Sequence, residues 1–321
     1  AHVSGKIVMV NDPVRKDMYR KLVKAGAVGF ISIAGSPLDE GVDLVPRAYA
    51  LQKNLPGEEK KEAGREAVNY DNRIPGVSIH YKDAIELVTK GASQVCLSVE
   101  QETVTRTSRN VVARIEGTDK AEEILTLTAH YDSVPEGPGA YDNMSGAAII
   151  MELCRYFHAH RPRRTMEFIW FGAEEKGLLG SQNYIKIHEN ELSAHRFNMN
   201  VDLAGQLVGG TVAGITGDAS VCSILTYMAH EIGIGMSTKN QIWGSDSNTF
   251  AWKGIPAMTL NRDGFGMHTH HDTIALLSDW SLKRSAVLLG YIADRLGNIE
   301  SFPFERKVPE EFIAQLNEYF G

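Results

Sequence analysis

Apolar runs bounded by polar stretches recur along the 321-residue chain, and their spacing changes near residue 105. Before that point, residues 6–10 and 27–33 read as strands. Residues 16–25 between them read as a helix closed at Gly26, since glycine accepts the left-handed backbone common at helix ends. A strand over 74–81, a helix over 83–90 and a strand over 94–99 complete a first unit. The Glu-, Lys- and Arg-rich stretch 57–72 predicts an exposed loop or surface helix, and the polar, Thr-rich segment 100–109 reads as a linker. From Asn110, strands at 110–115, 124–129, 165–171, 197–202 and 257–260 alternate with amphipathic helices at 145–158, 177–188, 219–232 and 281–296. That alternation predicts an α/β fold with a mostly parallel sheet covered on both faces. The expected division is a smaller α/β unit over 1–105 and a larger domain over 106–321.

In open α/β sheets, ligands bind beyond the carboxyl ends of the strands, and polar residues cluster there in this chain. The strand at 165–171 runs into Gly172-Ala173-Glu174-Glu175, two adjacent carboxylates that point in different directions. One can hold a metal while its neighbour acts as general base on a water. Glu-Glu also suits a solvated helix start, and that reading gives way only because of what surrounds the pair. The strand at 124–129 ends on His130-Tyr131-Asp132. Two residues apart in extended chain, His130 and Asp132 share a face, and a carboxylate beside an imidazole fixes the tautomer of a metal-bound His. Asp142 opens the helix at 145, where Asp is also a favoured cap. Asp202 ends another strand, and the segment 267–273 reads MHTHHDT. Two imidazoles and three carboxylates suffice for two zinc ions with a shared carboxylate, leaving one carboxylate as base. No G-x-S-x-G elbow, Walker loop or dinucleotide fingerprint is present.

Composition changes the picture little. With 43% hydrophobic and 23% charged residues, it is ordinary for a globular chain, and a net charge of −7 argues against a nucleic-acid surface. No stretch approaches the ~20 apolar residues of a membrane span. Cys96, Cys154 and Cys222 are too scattered for a metal knuckle and are expected to be buried free thiols. Those thiols and the lack of a leader lean toward the cytoplasm, although a first residue of Ala leaves export open. The oligomeric state is not legible.

Five blocks now fall into place: AHYDS at 129–133, YDNMSG at 141–146, FGAEEKGLLGS at 171–181, NVDLAG at 200–205 and HTHHDT at 268–273. In this order they resemble the co-catalytic zinc peptidases of metallopeptidase family 28, over residues 108–290. GKIVMVNDP and KLVKAGAVGFISIAGS give the first unit a looser resemblance to a protease-associated (PA) domain, cut short at its front. The resemblance implies a dizinc exopeptidase acting on peptides, and it assigns roles. His130 and Asp202 would bind one zinc, Glu175 and His268 the other, and Asp142 would bridge them. Glu174 would be the general base and Asp132 the orienter of His130. His268 is preferred because it stands four before Asp272, with His270 or His271 as a minor alternative. Sites of this kind also accept cobalt or manganese.

The chain departs from the family at the oxyanion donor. No Tyr lies in 241–246, Met267 precedes His268 where one branch has Tyr, and Ser stands in Ser245-Asp246-Ser247 where His is frequent. Trp243, Asn261, Arg262 and His271 are the replacements to consider. An aminopeptidase is the leading reading. A carboxypeptidase would need a pocket for a substrate carboxylate, and only Arg262 hints at one. A one-zinc glutaminyl cyclase conflicts with the complete ligand set, and so does a non-catalytic binding protein on this fold.

Overall fold

The computed structural model describes residues 2–12, 14, 16–34, 74–100, 104–135 and 137–320, which fall into two units, Ala1–Arg106 and Thr107–Gly321. The stretch 57–72 lies outside the described residues. In the first unit, β1 (Ile7–Val10), β2 (Gly29–Ala34) and β3 (Gly76–His80) form a parallel sheet in that order, with α1 (Lys16–Lys24) and α2 (Tyr81–Thr89). Val14, Tyr19, Leu22, Ala27 and Phe30 form its core. Two expectations fail here. Residues 94–99 make no strand, being largely exposed with no ladder partner among the described residues. Cys96, in the same stretch, is exposed instead of buried, while Cys154 and Cys222 are only partly covered.

The second unit is built on seven strands: β4 (Val111–Ile115), β5 (Lys120–His130), β6 (Arg164–Phe171), β7 (His195–Val201), β8 (Thr211–Thr216), β9 (Ser237–Asn240) and β10 (Ala257–Arg262). Their order is β4-β6-β5-β7-β10-β8-β9. The central four, β6, β5, β7 and β10, are mutually parallel neighbours, so their carboxyl ends open side by side. β4 and β8 run antiparallel to β6 and β10, and β9 is parallel to β8.

Helices cover both faces. α3 (Ser145–Ala159), α5 (Ala219–Glu231) and α7 (Asp279–Asn298) bury Ile150, Leu225 and Leu289 against Leu127, Phe168 and Met199. α4 (Leu179–Ile187), α6 (Ser247–Trp252) and α8 (Glu310–Phe320) bury Ile185, Phe250 and Leu316 against Ile169 and Phe171 on the other. Side chains alternate across a strand, so Phe168 and Ile169 feed opposite layers, and β6 must be apolar on both sides. Each such side chain, when fully buried, contributes about 1.5–3 kcal/mol.

β8, β9, α6 and α8 are not foretold by the sequence pattern. β8 is masked by Gly209, Gly210, Gly214 and Gly217. Gly214 is required by packing, because a Cβ there would stand 2.5 Å from the Trp243 ring. β9 is a polar edge strand, and α6 is too short for its periodicity to show. Among the described residues, no helix is long and apolar enough to cross a membrane.

Candidate metal centre

The carboxyl ends of the four parallel strands deliver the expected residues. His130 closes β5, Glu174 and Glu175 occupy the turn after β6, Asp202 follows β7, and His268 sits in the loop after β10. Asp142 lies in the irregular turn 140–144 that leads into α3, with φ −115° and ψ 88°. It does not cap that helix; Asn143 Oδ1 instead accepts the first-turn Gly146 N–H at 3.1 Å. Ala173, Leu203 and His268 hold left-handed backbone at φ 60°, 67° and 60°. Such conformations cost about 1–3 kcal/mol each in non-glycine residues and persist only where surroundings over-determine them. All three stand at or next to candidate residues.

The side chains form two clusters that share one member. His130, Asp142 and Asp202 offer ligand atoms within 4.8 Å of one another, and so do Asp142, Glu175 and His268. His130 Nε2 is 3.2 Å from Asp142 Oδ1 and 3.4 Å from Asp202 Oδ1. His268 Nε2 is 3.0 Å from Asp142 Oδ2 and 3.1 Å from Glu175 Oε1. Asp142 thus turns one oxygen to each imidazole. Glu174 Oε2 lies 4.0 Å from His130 Nε2. The His270 and His271 rings lie 3.9 Å apart, tilted by 38°, and belong to neither cluster, whereas His268 does.

Electrostatics call for a cation here. His130 is 1% exposed. Its Nδ1 contacts the main-chain carbonyl of Asp132 at 3.0 Å, which leaves the Nε2 lone pair facing two carboxylates unless a proton or a metal intervenes. Burial opposes charge on His130, but Asp132, Asp142 and Asp202 outweigh it and hold its pKa well above the ordinary value. Asp142 is likewise desolvated, yet His130 and His268 pull its pKa to about 2. The carboxylates of Asp142 and Glu175 beside it lift His268 to about 10. Buried Glu175 Oε1 makes no hydrogen bond of good geometry despite its 3.1 Å approach to His268 Nε2, as expected of two ligand atoms converging on a third point. The donor set of imidazole nitrogen and carboxylate oxygen suits zinc. Glu174 differs from the others: burial, and then the nearby Asp246, Asp202 and Glu175, push its pKa up to about 9 against the pull of His130.

Some details depart from expectation. Asp132 orients His130 chiefly through its carbonyl; its carboxylate is 3.6 Å from Nδ1 and instead accepts the N–H groups of Glu174 and Glu175 at 3.0 and 3.2 Å. Arg262 is buried, and it donates to the carbonyls of Gln206 and Leu207 and to Thr211 Oγ1. It therefore offers no free fork to a substrate carboxylate. Trp243 is spent on packing against Gly214. Sequence reasoning also missed a buried polar chain behind Asp202. Asn198 donates to Thr128, Thr128 to Asn200, Asn200 to Ser245, and Ser245 to Asp202 Oδ2 at 2.6 Å. Its signal was the alternation of Thr126, Thr128, Asn198 and Asn200 within otherwise apolar strands.

Comparison with known proteins adds identity. Aminopeptidase YwaD of Bacillus subtilis (strain 168) is 37% identical over 209 residues, 64% of this chain and 41% of that protein. Mouse (Mus musculus) Carboxypeptidase Q is 26% identical over 303 residues, 90% of this chain and 62% of that protein. The chain thus spans less than two thirds of either relative. Its fold matches the crystal structure of BSAP, a zinc aminopeptidase from Bacillus subtilis, with a TM-score of 0.71 at 24% identity over 97% of this chain and 74% of that one. A Peptidase M28 precursor from Shewanella amazonensis SB2B matches with a TM-score of 0.69 at 25% identity, over 96% and 71% of the two chains. The family model described as Peptidase family M28 matches residues 110–293, more than half of the chain and the segment that holds every residue of both clusters, and the chain belongs to that family.

Proposed function

We propose that the chain is a dizinc aminopeptidase that hydrolyses the N-terminal peptide bond of peptides. The observation that carries this reading is the double use of Asp142, whose two oxygens face two imidazoles in two overlapping clusters. His130, Asp142 and Asp202 would hold one zinc, and Asp142, Glu175 and His268 the other. When bound, the ions would polarise the scissile carbonyl and favour ionisation of water.

The chain's own residues do the rest. Glu174, whose side chain is 11% exposed and which lies outside both clusters, takes a proton from the attacking water. The new C–O bond forms as that proton leaves. Glu174 then delivers the proton to the amine nitrogen as the C–N bond breaks. Its elevated pKa is the direction a proton shuttle near neutral pH needs. The tie of its backbone N–H to Asp132 holds it still during both transfers.

A carboxypeptidase remains the second reading because the Carboxypeptidase Q match extends over 90% of the chain. The internal commitment of Arg262 weighs against it. Elemental analysis paired with aminoacyl-nitroanilide hydrolysis tests the proposal. About two zinc per chain and chelator-sensitive release of nitroaniline are expected. Zinc without that release, but with cleavage of a C-terminal residue, would install the second reading.

A further inference from the structure

Two carboxylates that belong to neither cluster grip the loops that do. Asp132, two residues after His130, accepts the consecutive N–H groups of Glu174 and Glu175. Asp272, four residues after His268, does the same to the next pair. Its Oδ1 accepts Tyr141 N–H at 2.5 Å and its Oδ2 accepts Asp142 N–H at 3.0 Å. Its own carbonyl accepts Ala140 N–H at 3.2 Å. In each case a carboxylate shortly after a candidate His clamps two successive amides of another loop that carries a candidate ligand.

We propose that Asp272 is a positioning residue that aims Asp142 between the two metal positions and thereby sets the affinity for both ions. The inference rests on the dizinc reading. Three observations support it. Asp142 has no helical backbone to hold it, so its direction depends on what its amide meets. Asp272 is 1% exposed, where hydrogen bonds to an ionised acceptor are about twice as strong as neutral ones. The two loops also run against each other without room to shift: a Cβ at Gly137 would lie 2.2 Å from the Thr269 carbonyl oxygen.

Asp272→Asn keeps the shape but leaves one acceptor oxygen. Its amide N–H would face a backbone N–H of Tyr141 or Asp142, so one of the two bonds is replaced by a repulsion. Because Asp142 belongs to both clusters, both ions should be held more weakly. Partners that orient metal ligands typically cost about 10–100-fold in affinity when removed.

The test titrates zinc into metal-stripped wild type, Asp272→Asn and Asp272→Glu against a chromophoric chelator, and melts each protein in excess chelator. Wild type binding fewer than two zinc ions would remove the dizinc reading itself, before the variants are considered. With two bound, the expected result is at least about tenfold weaker binding of both ions in Asp272→Asn. Asp272→Glu, which restores the charge and both acceptors, should recover much of that loss. Unchanged zinc affinity in Asp272→Asn would overturn the proposal. So would a chelated Asp272→Asn that melts more than about 10 °C below chelated wild type, because the residue would then be holding the fold and not the aim of Asp142.

Discussion

Ser245→Ala isolates one bond in the chain that supports Asp202. Ser245 Oγ donates to Asp202 Oδ2 at 2.6 Å and accepts from Asn200 Nδ2 at 2.7 Å. Ser245, Asn200 and Asp202 are 2%, 1% and 8% exposed, so water cannot take its place. Losing the donor to the carboxylate costs about 1.5–3 kcal/mol, and a stranded buried donor adds about 1–3 kcal/mol. Asn200 Nδ2 keeps a weak 3.4 Å contact to Thr259 Oγ1, which softens the second cost. The balance is about 2–4 kcal/mol of lost stability. For a folding unit of about 200 residues, each kcal/mol corresponds to about 2–4 °C. Urea unfolding in excess chelator is the assay, so that metal binding does not enter. The expected result is a lower midpoint with an unchanged slope, the signature of lost stability at constant exposed surface. A loss below about 0.5 kcal/mol would refute the reasoning, since that is the range of a surface substitution.

Other outcomes follow from the same structure. Glu174→Gln should abolish peptide hydrolysis while retaining the wild-type zinc content, because Glu174 lies in neither cluster; elemental analysis beside turnover checks both halves. Burial, reinforced by Arg114, lowers the His195 pKa from 6.5 to about 4. The unfolded chain therefore binds the proton more readily, and the stabilisation is complete above pH 6.5 and lost as pH falls toward 4. Its full size is about 3 kcal/mol, so the stability of wild type in chelator, read from urea unfolding, should fall relative to that of His195→Gln by about 2–3 kcal/mol between pH 7.5 and pH 4.5. Arg262→Met should destabilise by about 2–4 kcal/mol through its orphaned carbonyls. It should leave the rate ratio for peptides with free and amidated C-termini unchanged; a changed ratio would revive the substrate-carboxylate role.

Much of this protein was legible in its residues. The doubly apolar run of β6 required a covered sheet, and the alternation from Asn110 onward required parallel strands with helices between them. Acidic and imidazole groups placed where apolar runs stop pointed to the carboxyl ends of those strands, and the resemblance of the five blocks to the zinc peptidases then singled out His130, Asp142, Glu174, Glu175, Asp202 and His268. What the sequence could not decide was where each polar atom is spent. Arg262 looked free for a substrate and is consumed by carbonyls. Asp132 looked like a side-chain partner of His130, yet acts on it by its main chain and grips Glu174 and Glu175 instead. Asp272 served only as the marker that picked out His268 and Ser245 only as a departure from the family pattern, though one clamps the backbone of Asp142 and the other supports Asp202. The physical reason is one of range. Hydrophobic burial is non-directional and leaves its period in the chain, whereas a hydrogen bond needs a partner at about 3 Å in a set direction. Tyr141 and Asp272, 131 positions apart, meet only once the sheet has brought their loops together.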